Sequence, residues 1–383
     1  MIRGTTICCS LLALISIVKA PEPVSLVPLR PVWTLALNSY LTEPPAYDQA
    51  RAYFAIEGDR VVAYDLLSGS RVWLIESRPL LPLVAADDLV YVVEATALTA
   101  QKAADGGVAW RASLTDTFAT RPGAGRGWLV GVTKKGSITA FRASDGHVMW
   151  QRDIDSPPHG PPTIVPGRVY LPTADGRVIA TDLESGAPIW ERKVGGLPGE
   201  ILALGERVYA GSTDTFLYCL LAKDGRIDWR WRTGGDIVGA PVADARSVYF
   251  VSLDNVLRAL NQVSGGQRWL KALPFRATSA PQLAGGTVVV SGQSPVIKTF
   301  NAKDGTPGVD IAAGEDVAAP PRVWQDPASA LPMLAVVTRN VVKGDSVTLS
   351  IRSMEPPAIP MAPLPNPVMP PALPAPTSPS SHF

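Results

Sequence analysis

Tryptophan recurs in this chain with a period close to forty residues. It stands at Trp33, Trp73, Trp110, Trp150, Trp190, Trp229 and Trp269, in steps of 40, 37, 40, 40, 39 and 40. A glycine precedes six of them by four residues: Gly69, Gly106, Gly146, Gly186, Gly225 and Gly265. Gly305 continues the glycine series where the tryptophan slot holds Val309. Self-similarity at this spacing means one small unit copied along the chain, and it points to a propeller or solenoid.

One copy shows what each unit contains. Pro162-Thr163-Ile164-Val165 and Arg168-Val169-Tyr170-Leu171 are β-rich runs. Asp175-Gly176 is a hairpin signal, because both residues tolerate the positive φ angles of a tight turn. Arg177 to Asp182 and Ala187 to Arg192 complete a set of four strands, separated by the turn at Glu184-Ser185-Gly186. A tyrosine marks the second strand of several units (Tyr91, Tyr170, Tyr209 and Tyr249), with Val289 in that place later and Trp128-Leu129-Val130 serving in the third unit. No run keeps helical periodicity over three turns. Four short strands in each repeat make a blade, and radial repetition of blades leaves only short, protected edges.

The two ends of the repeat region complement each other. Trp33 to Leu37 reads as a fourth strand without its first three. Pro320 to Trp324, Met333 to Thr338 and Ser346 to Arg352 read as three strands without a fourth. Joining them closes the ring. The expected fold is all-β: an eight-bladed β-propeller of four-stranded antiparallel blades over residues 31–354, its last blade closed by the N-terminal strand. The large indole rings are expected to fill the wedges between neighbouring blades, where a buried aromatic brings a large apolar area. The glycines are expected to serve turns with φ above zero.

Val178-Ile179-Ala180-Thr181-Asp182-Leu183-Glu184-Ser185-Gly186-Ala187-Pro188-Ile189-Trp190 resembles the repeat of PQQ-like eight-bladed propellers. Arg60 to Trp73 carries the same pattern, and looser copies end in Asp145-Gly146, Asp224-Gly225 and Ser264-Gly265 with their tryptophans. Two branches of that group matter. The quinoprotein alcohol dehydrogenases hold PQQ and calcium; the resemblance implies adjacent cysteines inside the propeller, whereas Cys8-Cys9 lies near the chain start. The BamB branch, scaffolds of outer-membrane β-barrel assembly, resembles this chain in length, leader and short-looped blades. That resemblance implies a non-catalytic, periplasmic protein-binding scaffold whose partner is a β-barrel assembly component, with no cofactor. The alternative is a PQQ-dependent dehydrogenase-like or other small-ligand-binding quinoprotein propeller.

Residues 1–20 read as a secretory signal: Arg3, then an apolar run from Thr5 to Val18, then Val18-Lys19-Ala20. The run is shorter than the roughly 20 residues of a spanning helix, so no transmembrane span is expected. Thr5-Thr6-Ile7-Cys8 does not match a lipidation signal, so no lipid anchor is expected either. Residues 355–383 contain 11 Pro and read as a disordered tail. A periplasmic or secreted monomer follows, peripheral at the outer membrane at most.

Charge and chemistry exclude more than they assign. With 35 Lys+Arg against 34 Asp+Glu, there is no field to gather nucleic acid. His147, His159 and His382 are far apart in sequence, which argues against a metal site. Cys219, within Phe216-Leu217-Tyr218-Cys219-Leu220, reads as a buried core thiol. No catalytic, cofactor-binding or metal-binding residue is assigned. The turns between second and third strands share one face with the links between blades. The candidate contact residues are therefore Glu57, Lys134, Lys135, His159, Asp175, Arg177, Asp214, Asp254 and Arg276. The opposite face, with its uniform Asp-Gly and Ser-Gly turns, reads as structural.

Overall fold

In a computed structural model, residues 26, 29–326 and 328–353 are described. The expected leader at 1–20 and the expected tail at 355–383 lie outside the described residues, as does His382. The described residues form eight antiparallel sheets. Blades 1 to 7 cover 46–76, 84–113, 123–153, 163–193, 198–232, 237–272 and 282–312, each a four-stranded meander in chain order. Blade 8 is the expected composite. Arg322–Gln325, Pro332–Asn340 and Ser346–Ser353 are completed by Arg30–Ala36, with Trp33 opposite Ile351 and Ala36 opposite Thr348. A fifth short strand, Asp316–Val317, also pairs with Pro332–Asn340, so this blade departs from the four-stranded expectation.

The repeated residues form a row across each blade. Directly opposed residues on neighbouring strands share a face. Tyr53, Ala63 and Trp73 are such a row in blade 1, and Tyr91, Ala100 and Trp110 in blade 2. Blades 4 and 6 repeat it with Tyr170, Ala180, Trp190 and Tyr249, Ala259, Trp269. In blade 3, Val130 holds the tyrosine position. In blade 5, Cys219 stands where the others have alanine, between Tyr209 and Trp229. The small central residue lets the rings meet above it, at 5.6–5.9 Å between centroids. A bulge follows the small residue in each of blades 1 to 6, which turns the outer strand beside its indole.

Each row faces the next blade around the ring. The buried apolar side chains gather into eight clusters, one for each junction between consecutive blades. The indole Nε1 crosses the junction and donates to a carbonyl of the following blade. Trp73 reaches Ala103 at 2.9 Å, Trp110 reaches Ala143 at 2.7 Å and Trp190 reaches Ala222 at 2.8 Å. Trp73, Trp110, Trp190 and Trp269 are buried, while Trp33, Trp150 and Trp229 are only partly so. Val309 does not replace the missing indole of blade 7: it is 58% exposed, and the outer strand there shrinks to Ile311–Ala312.

Candidate partner-binding face

The ends of the outer strands sit against the turns between second and third strands. Ser77 N donates to Asp59 O at 2.8 Å, Val194 N to Gly176 O at 2.9 Å and Leu273 N to Asn255 O at 2.7 Å. Links and these turns therefore share one face, which carries all nine charged or imidazole candidates. They are spread from blade 1 to blade 7. Among the described residues only Asp175 and Arg177 touch one another, at 2.7 Å.

Four of the nine are engaged in holding their own turns. Asp254 takes Arg258 at 2.5 Å, Ser252 Oγ at 2.6 Å and the Gly234 amide of the adjoining link at 3.0 Å. Burial works against its charge, but these donors prevail and bring the carboxyl down to about 2. Asp175 accepts from Thr173 Oγ1 and Arg177; burial opposes the charge here too, and the pair still lowers its pKa. Arg177 also donates to Glu191 at 2.6 Å and to the Ile154 carbonyl at 2.9 Å. Asp214 takes the Tyr218 hydroxyl at 2.5 Å, under a Gly195 whose Cβ would collide with that carboxylate.

The other five are freer. Lys134 is exposed, and Lys135 lies 3.6 Å from Asp116 with its side chain 86% accessible, so that pair adds little. Arg276 is exposed on the link into blade 7. The exposed His159 rests its Nδ1 2.8 Å from the Pro198 carbonyl, joining the link into blade 4 to the first strand of blade 5. Glu57 is half-buried, its amide bonded to the Tyr40 carbonyl at 3.3 Å.

Sequence reasoning overlooked the apolar residues of this face. Tyr40, Val341 and Val342 are 44%, 62% and 94% exposed around the junction of blades 8 and 1. Val341–Lys343 is a single turn of 3-10 helix at a tip where blades 3 and 4 carry Lys-Gly and Asp-Gly. Adjacent valines in a hairpin tip were the available signal. At the inner rim, Arg121 of blade 3 reaches Glu200 of blade 5 at 3.3 Å, past blade 4.

The opposite face is more than the structural surface its uniform turns suggested. Three cavities of about 640, 540 and 520 Å³ open among its turns. Cys219 is fully buried, and burial pushes its thiol up to about 12. Among the described residues no three His, Cys, Asp or Glu side chains are grouped to hold a metal ion. No described helix is long and apolar enough to cross a membrane.

The family model described as outer membrane protein assembly factor BamB matches this chain over residues 57–201, 195–306 and 259–350. Among curated proteins, the BamB of Yersinia pestis is 31% identical over 114 residues, which are 28% of this chain and 29% of that protein. The BamB of Moranella endobia is 28% identical over 106 residues, or 26% and 27% of the two chains. The alignments thus span less than a third of either relative's length. Among solved structures, BamB from Moraxella catarrhalis superposes with a TM-score of 0.66 at 19% identity, over 85% of this chain and 98% of that one. Quinohemoprotein alcohol dehydrogenase from Comamonas testosteroni gives 0.67 at 13% identity, over 86% and 77%. At such identities both likenesses speak for the fold alone.

Proposed function

The chain belongs to the outer membrane protein assembly factor BamB family, and on that premise we propose that it is a non-catalytic scaffold for outer-membrane β-barrel assembly. It works in the periplasm, at the inner surface of the outer membrane. The match over 57–350 carries this reading, because it covers blades 2 to 7 whole and blades 1 and 8 in part. The ring's construction supports it. Blades joined by a buried apolar cluster at each of eight junctions form a stiff disc, and a stiff disc loses little entropy when it docks. Its contact face is the one bearing Glu57, Lys134, Lys135, His159 and Arg276, with Tyr40, Val341 and Val342 as apolar anchors. Asp175, Arg177, Asp214 and Asp254 belong to the same face and keep its turns in shape.

The test is affinity purification of the tagged, full-length chain from envelope extract of its native source. Recovery of a β-barrel assembly component supports the proposal, together with its loss in a Lys134→Glu/Lys135→Glu/Val342→Asp variant of unchanged melting temperature. Recovery of the same proteins by a propeller reversed in none of these contacts but unfolded would mark the capture as nonspecific. The dehydrogenase reading has the shared fold in its favour. Saturable uptake of PQQ with calcium, with a shifted absorption spectrum, would overturn the scaffold reading.

A further inference from the structure

The largest of the three cavities, about 640 Å³, lies between blades 4 and 5 on the face away from the candidate contact residues. Its walls are apolar: Val165, Tyr170, Ala203, Leu204 and Leu221 all line it. Leu204 is 45% exposed there, a large aliphatic side chain left open to solvent within a concave surface. Three cations stand around these walls, Arg126, Arg168 and Lys223, against the single carboxylate of Glu206. Among the described residues none of the four has an ion-pair partner.

The turn of blade 4 beside the cavity contributes Pro166, which offers no polar side chain to it. The hydrogen bonds across the junction leave a charge in its wall. The Tyr209 and Tyr249 hydroxyls reach across their junctions to the Gln262 and Ala302 carbonyls, which the indoles of Trp229 and Trp269 also use. At blades 4 and 5 the Ala222 carbonyl is instead shared by Trp190 and the Arg168 guanidinium. Arg168 is thereby fixed in the cavity wall by neutral partners, its charge uncompensated. Arg126 and Lys223 are exposed and free to close over a ligand.

We propose that this cavity binds a small amphipathic carboxylate, its apolar body against Leu204 and Val165 and its head among Arg126, Arg168 and Lys223. The volume falls within the range of small-molecule sites, and an apolar lining with a few convergent charges is what such sites present. A charged head is chosen over a neutral one because the cations outnumber the carboxylate three to one. The site lies on the other face from the proposed partner contacts, so the two readings stand or fall separately.

Calorimetric titration of the full chain with decanoate, below its micelle concentration, tests the proposal. The expected result is saturable one-to-one binding, and no comparable binding of decyltrimethylammonium. Arg126→Ser/Lys223→Ser is expected to weaken decanoate at least about ten-fold with the melting temperature of the free protein unchanged, as both side chains are exposed. Leu204→Ser is expected to weaken it too, and Lys135→Ser on the other face to leave it unaltered. Absence of saturation, equal binding of the cationic amphiphile, or a double variant that binds like the parent would each overturn the assignment.

Discussion

Trp269 of blade 6 lies face-on against Gly305 of blade 7, so close that a Cβ on the glycine would come within 2.7 Å of the indole Cδ2. The Trp269 Nε1 donates to the Ala302 carbonyl, three residues before that glycine, at 3.0 Å. Each repeated glycine serves the tryptophan of the blade before it and not its own. Gly69 receives Trp33, Gly106 receives Trp73 and Gly225 receives Trp190. This offset explains why the glycine series runs one step beyond the tryptophans. Gly305 is needed for Trp269, while Val309 of the same blade has no glycine ahead of it to meet.

The ring contact separates two roles that glycine plays in these turns. Gly146 has φ of 71°, and a Cβ there would meet the Trp110 ring at 2.5 Å. Gly167 has φ of 70° with nothing within 4 Å of a Cβ. Gly167→Ala is therefore expected to cost about 1 kcal/mol, the backbone penalty alone. Gly146→Ala is expected to cost about 1–3 kcal/mol more, for displacing a packed ring. Urea unfolding of the two variants measures the difference, and equal losses would refute the lock.

Cys219 occupies an alanine position, which makes Cys219→Ala the restoration of the repeat. The change is expected to alter stability by less than about 1.5 kcal/mol, since the shape is nearly kept. The native thiol is expected to resist a disulfide reagent at pH 8 until the protein unfolds. Burial holds its folded pKa near 12, above the roughly 8.5 of an unfolded cysteine. The neutral thiol's contribution is thus fully present below pH 8.5 and is lost as pH climbs toward 12. Labelling kinetics with and without urea decide this.

What the sequence made legible is what the repeat repeats. Strand order, blade number and the closure of blade 8 by Arg30–Ala36 follow from phased residues, each a fixed offset from the next. The glycine's partner was not legible, because a turn motif states its own φ and not which ring from another blade will cover it. The shared face of turns and links was legible from meander topology alone. Its individual charges were not: Asp254 and Lys134 look alike in a loop, yet only the first has an Arg258 four residues on, folded back onto it. The cavity at blades 4 and 5 was not legible, because Arg168 looks like Arg51 and Arg207 at the same place in blades 1 and 5; the fold pairs those two with Asp48 and Asp228 and leaves Arg168 on a carbonyl.

Asp254 supplies a pH dependence whose sign is fixed. Despite the opposing effect of burial, its donors hold it near 2, below the roughly 3.9 of an unfolded aspartate. Its contribution is therefore present above pH 4 and lost as pH falls toward 2. Asp254→Asn is expected to lower the melting temperature at pH 7 and to flatten its decline between pH 4 and 2.5. A variant whose acid decline parallels the parent's would show that the ion pair with Arg258 is stability-neutral.

The junction of blades 7 and 8 lacks the tryptophan–glycine lock, since blade 7 has no indole and the chain ends of blade 8 replace its turn. Leu26 fills that place, fully buried against Val289, Ile297, Ile311, Leu334 and Val336. Leu26 and Leu29, ahead of the closing strand, therefore seal the one junction that the repeat leaves unsealed. Leu26→Ala is expected to cost about 2–5 kcal/mol, as a large-to-small change in a packed core. Hydrogen exchange locates the loss: amides of Val296–Asn301 and Pro332–Asn340 are expected to lose protection first, with blades 2 to 5 unchanged. Trp33→Ala is expected to cost about as much and to expose blades 8 and 1 instead, where its ring covers Gly69. A Leu26 variant that loosens every blade equally would mean that the ring opens as one body, with no weaker seam.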